Sequence, residues 1–268
     1  MLLVIDVGNT NMVIGAMNGH EVVFRWRITT AQRTTDEFGM LLLQMLKHRQ
    51  LSAEDVDGVC VSCVVPSMLY AIEKASRRYL QVNALVIGKG IRTGMRVRTD
   101  NPREVGADRI VNAVAAFARY NSPVVVVDFG TATTLDCVSS VGDYLGGAIA
   151  PGFRISADAL FSRAAKLPKV EVGRTETVIG KNTIQSMQAG LFWGYVGLVD
   201  ELARRCRKEL CQLDMSTPVR CIATGGLANL VGTACSEIEA VDDYLTLRGL
   251  SILFERNLGH HQSKSYGA

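Results

Sequence analysis

Leu2-Leu3-Val4-Ile5-Asp6-Val7-Gly8-Asn9-Thr10 opens the chain, and Val124-Val125-Val126-Val127-Asp128-Phe129-Gly130-Thr131-Ala132-Thr133 repeats its design near the middle. In each copy a continuous apolar run reads as a buried strand that ends in aspartate, followed by a glycine and small hydroxyl or amide residues. Such a glycine turn lets backbone N–H groups approach a polyphosphate, because no Cβ intervenes and positive φ is allowed. The aspartate at the strand end is placed to hold a cation or a cation's water shell, and carboxylate oxygens suit hard ions such as Mg²⁺. A tight turn leaving a strand explains either copy alone. Two copies in one chain point to a duplicated phosphate-handling fold.

The order of elements after each copy supports duplication. Val13 to Met17 and Glu21 to Ile28 read as two further strands joined at Asn18-Gly19, a hairpin signal. A helix capped by Thr35 or Asp36 follows, with Phe38, Leu41, Leu42, Met45 and Leu46 at helical spacing. Strands Val56 to Val65 and Ala84 to Ile87 flank an amphipathic helix from Ser67 to Leu80, and another helix spans Asp108 to Tyr120. The second half again begins with three strands, Val124 to Val127, Thr133 to Val138 and Tyr144 to Ile149, turning at Gly142. Helical sequence from Arg154 to Lys166 and from Gln185 to Leu210 comes next, then a strand from Val219 to Ala223 and a turn at Thr224-Gly225-Gly226. The expected domains are 1–117 and 118–268, each a mixed sheet flanked by helices.

With 48% hydrophobic and 21% charged residues the chain can fill a core, which excludes wholesale disorder. A net charge of +3 is too small to imply a nucleic-acid partner, and Arg204-Arg205-Cys206-Arg207-Lys208 reads as a solvated helix face. No stretch approaches the roughly 20 apolar residues of a membrane span, and Met1 leads straight into a core strand, so a cytoplasmic protein is expected. Seven scattered cysteines do not suggest a disulfide framework. Cys60-Val61-Ser62-Cys63 has zinc or redox spacing, but it lies in an apolar strand with no second CxxC and no nearby histidine, so core cysteines are expected. His260 and His261 fall in a polar tail that reads as frayed.

Four segments taken in order carry a resemblance over nearly the whole chain: Asp6-Val7-Gly8-Asn9-Thr10-Asn11, then Asp100-Asn101-Pro102-Arg103-Glu104-Val105-Gly106-Ala107-Asp108-Arg109, then Asp128-Phe129-Gly130-Thr131-Ala132-Thr133-Thr134, and Ala223-Thr224-Gly225-Gly226. With them the chain resembles the type III pantothenate kinases of the acetate-kinase, sugar-kinase, Hsp70 and actin superfamily. The resemblance implies an α/β fold of two ribonuclease-H-like, actin-like domains and ATP-dependent phosphorylation of pantothenate, the first step of coenzyme A synthesis, by a homodimer.

It also implies roles. Asp6, Val7, Gly8, Asn9, Thr10, Asn11, Met12 and Val13 match the family's ATP loop, with Asp6 acting through Mg²⁺ and water, and Thr131 matches an ATP contact. Gly106, Ala107, Asp108 and Arg109 match its substrate motif, with Asp108 as general base. A primary alcohol must lose its proton as the phosphorus–oxygen bond forms, and a positioned carboxylate can take it. Arg109 can grip a substrate carboxylate with two parallel hydrogen bonds, although Asp and Arg also suit an ordinary helix start. Asp128 matches a site for a monovalent cation, K⁺ or NH₄⁺. Thr183 matches a substrate contact made across a dimer interface and also suits a helix N-cap. Gly225 and Gly226 fit close approach of adenosine or a plain left-handed turn. Thr99 stands where many members carry a pocket tyrosine, so an aromatic wall is missing.

Three other functions compete. A related kinase acting on another small hydroxy or carboxy acid lacks support from Gly106 to Arg109. A noncatalytic nucleotide-binding regulator would be marked by a missing base or cradle, yet Asp6, Asp108 and Asp128 are present. A polyphosphate hydrolase calls for a basic channel, which the weak net charge opposes.

Overall fold

The computed structural model describes residues 1–163, 167–171, 173–213 and 217–264, with side chains described through residue 258. The opening apolar run forms β1 (Leu2–Val7), and the hairpin signal joins β2 (Asn11–Asn18) to β3 (Glu21–Thr29). Next come α1 (Thr35–His48), β4 (Gly58–Cys63), α2 (Pro66–Tyr79), β5 (Ala84–Val86) and α3 (Ala107–Tyr120). The second half supplies β6 (Val124–Phe129), β7 (Ala132–Val138), β8 (Tyr144–Pro151), α4 (Phe153–Arg163), α5 (Thr183–Leu213), β9 (Arg220–Gly225), α6 (Ala228–Val231), β10 (Ala240–Val241) and α7 (Leu245–Lys264). The end of the helix expected from Arg154, residues 164–166, lies outside the described residues, as do the side chains of His260 and His261. The backbone at those two histidines continues α7, where the sequence suggests a frayed tail.

The two sheets share one topology. The first runs β3-β2-β1-β4-β5 and the second β8-β7-β6-β9-β10. In both, the central strand pairs antiparallel with the next strand in sequence and parallel with the strand that returns after a helix. The register places Asp6 between Val13 and Ser62, and Asp128 between Thr134 and Thr224. Each aspartate is the penultimate residue of its central strand, at the carboxyl end where open α/β sheets take their ligands.

Backbone contacts divide the chain into two compact units. One comprises Met1–Gly94, Arg103–Ala115 and the segment from Tyr244 onward; the other comprises Met95–Pro102 and Ala116–Asp243. Helix α7 therefore belongs with the first sheet, whereas the sequence places everything after residue 118 in the second domain. The physical cause is the uncovered face of that sheet. Helices α1 and α2 cover one face, burying Leu3, Ile5, Phe38, Leu42, Val59, Val61 and Ile72, and α7 packs against β1 and β4. Gly58 and Gly15 admit it: a Cβ at Gly58 would lie 2.3 Å from the Phe254 ring, and one at Gly15 3.0 Å from Leu247. In the second unit β6, β7 and β9 bury Val125, Val127, Leu135, Cys137 and Cys221 against Phe192, Val199 and Ala203 of α5. Residues 96–98 also join this unit, because Arg98 N–H donates to the Tyr144 carbonyl and Tyr144 N–H to that of Arg96, both at 2.8 Å.

Helix α1 starts one residue earlier than its sequence suggests. Thr34 is the N-cap, in extended conformation, and its hydroxyl accepts from Glu37 N–H at 3.3 Å while the Glu37 carboxylate accepts from Thr34 N–H at 2.7 Å. That reciprocal pair satisfies two donors that neither Thr35 nor Asp36 could satisfy. It also lowers the Glu37 pKa, chiefly through the hydrogen bond from the Thr34 backbone.

Candidate active site

Both glycine turns are built by room rather than by left-handed backbone. Gly8 N–H donates to the Asn11 carbonyl at 3.1 Å, which closes the turn between β1 and β2. A Cβ at Gly8 would lie 3.1 Å from that same oxygen. Neither Gly8 nor Gly130 has positive φ, so the freedom expected of them there goes unused. Thr30, at the end of β3, pins the first turn by donating its hydroxyl to the Gly8 carbonyl at 2.7 Å and its N–H to the Thr10 carbonyl at 3.0 Å. Asn9 and Thr10 are exposed at the tip, Asp6 and Asn11 are half-buried, and Met12 is core. Asp6 raises the pKa of neighbouring Cys63, although burial contributes most.

Cys63 is otherwise structural. Its thiol donates to the Val65 carbonyl at 3.1 Å, and Cys60 is fully buried, with its thiol pushed up by that burial. Among the described residues, no group of three or more His, Cys, Asp and Glu is arranged to hold a metal. The CxxC spacing is core packing.

Gly106 to Arg109 sit in the same unit as the first turn. Gly106 is the N-cap position of α3, since its carbonyl accepts the Ile110 N–H at 3.3 Å. The half-buried carboxylate of Asp108 folds back over it. Asp108 Oδ1 accepts the Arg109 N–H at 2.9 Å, and a Cβ on Gly106 would come within 2.5 Å of that oxygen. Glycine at 106 therefore decides where the carboxylate rests. Ala107 and Arg109 are half-buried in the first turn of the helix.

The second unit carries the other residues. Asp128 is half-buried at the end of β6 with two glycines around its carboxylate. A Cβ at Gly225, whose φ is +95°, would lie 2.4 Å from Asp128 Oδ1, and one at Gly130 would lie 3.7 Å from it. Gly225 is thus a left-handed turn whose missing side chain lets the Asp128 carboxylate and the Phe129 backbone lie close against it. The following turn, Gly130-Thr131, is backed by Gly152 at the start of α4, where a Cβ would fall 2.0 Å from the Thr131 carbonyl. Thr131 is exposed. Thr99 lies over Gly146, at 3.6 Å from the position of an added Cβ, and its hydroxyl is buried with no hydrogen-bond partner among the described residues.

Thr183 is exposed at the first position of α5, and it is not the cap. Asn182 is: its side-chain oxygen accepts the Gln185 N–H at 2.9 Å, while the Gln185 side chain accepts the Lys181 N–H at 3.0 Å.

Three contributors escape sequence reasoning. Thr30 is distant in sequence from the turn it pins and carries no local signal. Pro151-Gly152 ahead of a helix is a turn signal that could have been found. So could Asp136, a carboxylate in an apolar strand, which is fully buried and accepts from the Tyr144 hydroxyl at 2.7 Å and the Thr134 hydroxyl at 3.0 Å.

The sequence profile described as type III pantothenate kinase matches residues 2–205. The chain belongs to that family. It is 54% identical to the type III pantothenate kinase of Syntrophotalea carbinolica, over 97% of this chain and 100% of that one, and 52% identical to that of Myxococcus xanthus, over 96% and 99%. Among solved structures it is similar to one described as a Baf family transcriptional activator from Campylobacter jejuni, with 17% identity, 96% and 99% coverage and a TM-score of 0.59. At that identity the likeness concerns the fold alone. The fold is the duplicated ribonuclease-H-like, actin-like arrangement of this kinase family, two mixed sheets flanked by helices.

Proposed function

We propose that this chain transfers the γ-phosphoryl group of ATP to the primary hydroxyl of pantothenate, giving 4′-phosphopantothenate, the first step of coenzyme A synthesis. Family membership supports the reaction class, and the placement of Asp108 carries the assignment of the base. Its carboxylate accepts the Arg109 N–H and rests where a Cβ on Gly106 would collide with it, so glycine at 106 admits this position. Phosphoryl transfer depends mainly on such positioning and on charge stabilisation. In this reading Asp108 accepts the hydroxyl proton as the oxygen attacks phosphorus. Arg109 pairs with the pantothenate carboxylate and Gly106 and Ala107 line the acceptor, while Thr99 and Thr183 keep the acceptor contacts that the family resemblance implies for them.

Asp6 and the turn Val7 to Val13 cradle the phosphates, and Thr131 keeps the ATP contact that the family resemblance implies for it. The half-buried Asp6 carboxylate beside an open turn fits the water shell of Mg²⁺. The half-buried Asp128 carboxylate at the end of β6 is the proposed ligand of a monovalent cation, K⁺ or NH₄⁺, as the family resemblance implies. Such ions supply positive charge near the phosphates.

A homodimer completes the proposal. Helix α5 exposes Ile184 together with Gly190, Gly194 and Gly197, whose Cβ positions open onto free space. Val178 and Ile179 just before it are also exposed. That face is apolar, closely approachable and continuous with Thr183. Among the described residues no helix is long and apolar enough to cross a membrane, and a cytoplasmic location is part of the same reading.

The test is ADP release with ATP, Mg²⁺ and pantothenate, in potassium chloride against sodium chloride at equal ionic strength. Pantothenate-dependent turnover that needs potassium is expected. Folded protein that binds nucleotide yet turns over in neither salt would overturn the proposal.

A further inference from the structure

Three of the seven cysteines converge on one face of the second sheet. Val125 of β6 is flanked in register by Cys137 of β7 and Cys221 of β9. All three side chains belong to the core beneath α5, and Cys206 of that helix packs onto the same cluster. Cys137 and Cys206 each act on the other's titration more strongly than any other group does. We propose that Cys137 and Cys206 form an oxidant-reactive dithiol, in which Cys206 is the attacking sulfur and Cys137 the resolving one, and that peroxides and small disulfides are its oxidants.

The geometry selects this pair. Strands neighbour one another at about 4.8 Å, so Cys137 and Cys221, two strands apart, are separated by roughly 9.6 Å. A disulfide needs Cα atoms within about 7 Å, so those two cannot join without moving the sheet. Cys206 approaches the same cluster from the helix layer. Burial separates the roles: Cys206 is half-buried, whereas Cys137 and Cys221 are core. The neighbouring Cys137 thiol lowers the Cys206 pKa against the opposing effects of burial, Glu209 and Asp136. Cys137 is raised by Cys206, by burial and by the nearby Asp136. Burial pushes Cys221 up to about 12. Of two neighbouring thiols, the less buried one with the lowered pKa oxidises first and the other resolves it to a disulfide.

With hydrogen peroxide the Cys206 thiolate attacks one peroxide oxygen, the O–O bond breaks, and hydroxide leaves and is protonated to water. The sulfur is now a sulfenic acid. Cys137 attacks that sulfur, the S–O bond breaks, and a second water leaves as the S–S bond forms. Two thiols lose two electrons and peroxide gains them.

The experiment treats the reduced full-length chain with graded hydrogen peroxide, quenches, alkylates in denaturant and maps the digest by mass spectrometry. Exposed Cys211 serves as the internal reference. The expected result is a cross-linked peptide pair joining Cys137 to Cys206 and two fewer alkylatable thiols, at doses no higher than those that consume Cys211. Cys221→Ser should keep the cross-link. Cys137→Ser should lose it and leave Cys206 as a sulfenic acid captured by dimedone, and Cys137→Ala serves if the serine variant does not fold. A cross-link between Cys206 and Cys221, or Cys137 and Cys206 both still reduced when Cys211 is spent, overturns the proposal, and the wild-type digest alone decides this.

Discussion

Gly106→Ala isolates the positioning of Asp108 from its chemistry. The added methyl would sit 2.5 Å from Asp108 Oδ1, whereas an ordinary contact begins near 3.4 Å, so the oxygen must retreat by about 0.9 Å. Gly106 has no positive φ, so the backbone tolerates alanine, and the carboxylate, a rotatable group, gives way. A misplacement of about 1 Å costs around 100-fold in rate. Turnover should therefore fall about 30- to 100-fold, equivalent to about 2 to 2.7 kcal/mol of transition-state stabilisation at 1.36 kcal/mol per decade.

Stability should change less. The Arg109 N–H···Oδ1 bond is strained, at about 1 kcal/mol, and alanine is a poorer N-cap than glycine by about 0.5–1 kcal/mol. Together these lower the melting temperature by about 3–8 °C. The assay is steady-state ADP release with pantothenate and ATP varied separately, with thermal unfolding followed in parallel. The decisive comparison is in the Asp108→Asn background. If glycine acts only by placing the carboxylate, alanine at 106 adds little to a protein that has already lost its base. Wild-type turnover in Gly106→Ala, or the same 30-fold loss in the Asp108→Asn background, would refute the reasoning.

Asp108→Asn itself should reduce turnover by about 10² to 10⁴-fold, because an amide cannot take the proton, while nucleotide affinity measured by calorimetry stays near wild type. Gly225→Ala forces a Cβ within 2.7 Å of the Phe129 nitrogen at a φ of +95°, so denaturant unfolding should show a loss of about 3 kcal/mol or more. Gly130→Ala, with its nearest clash at 3.3 Å and no positive φ, should lose less than about 1 kcal/mol. Asn182→Ala should cost about 1 kcal/mol by removing the α5 cap, with the KM for pantothenate little changed. Thr183→Ala should do the reverse, raising that KM without lowering the melting temperature.

The two sheets were legible because each central strand is an unbroken apolar run closed by a turn residue, a pattern that survives without any knowledge of partners. Helix α5 was legible as a long helical stretch, Gln185 to Leu210, within the observed Thr183–Leu213. The placement of α7 was not. Its apolar residues announce a buried helix but not which sheet needs covering, and only the uncovered face of β1 and β4, with Gly58 beneath Phe254, settles that. The caps at Thr34 and Asn182 were missed by one residue each, because neighbouring Thr35, Asp36 and Thr183 are equally good candidates by type and only backbone geometry separates them. Asp108 was visible through its motif, whereas the role of Gly106 as the reason for its placement needed coordinates.

The duplication also gives two aspartates at one topological position different neighbours. Asp6 and Asp128 each precede the last residue of a central strand, flanked by Ser62 and Thr224 on the parallel neighbour. One step further the copies part. Val7 pairs with Cys63, an ordinary side chain whose thiol is tied to the Val65 carbonyl. Phe129 pairs with Gly225, where a Cβ would lie 2.4 Å from Asp128 Oδ1 and 2.7 Å from the Phe129 nitrogen, so the Asp128 carboxylate rests close against the neighbouring strand's backbone. A methyl group there displaces that carboxylate, and the nearest atoms it meets belong to Asp128 and Phe129, not to Asp6. If Asp128 holds the monovalent cation and Asp6 acts through hydrated magnesium, Gly225→Ala should abolish potassium activation in whatever protein remains folded while leaving the magnesium dependence of the residual rate unchanged, and undiminished potassium activation in that variant would refute the proposed place of Asp128.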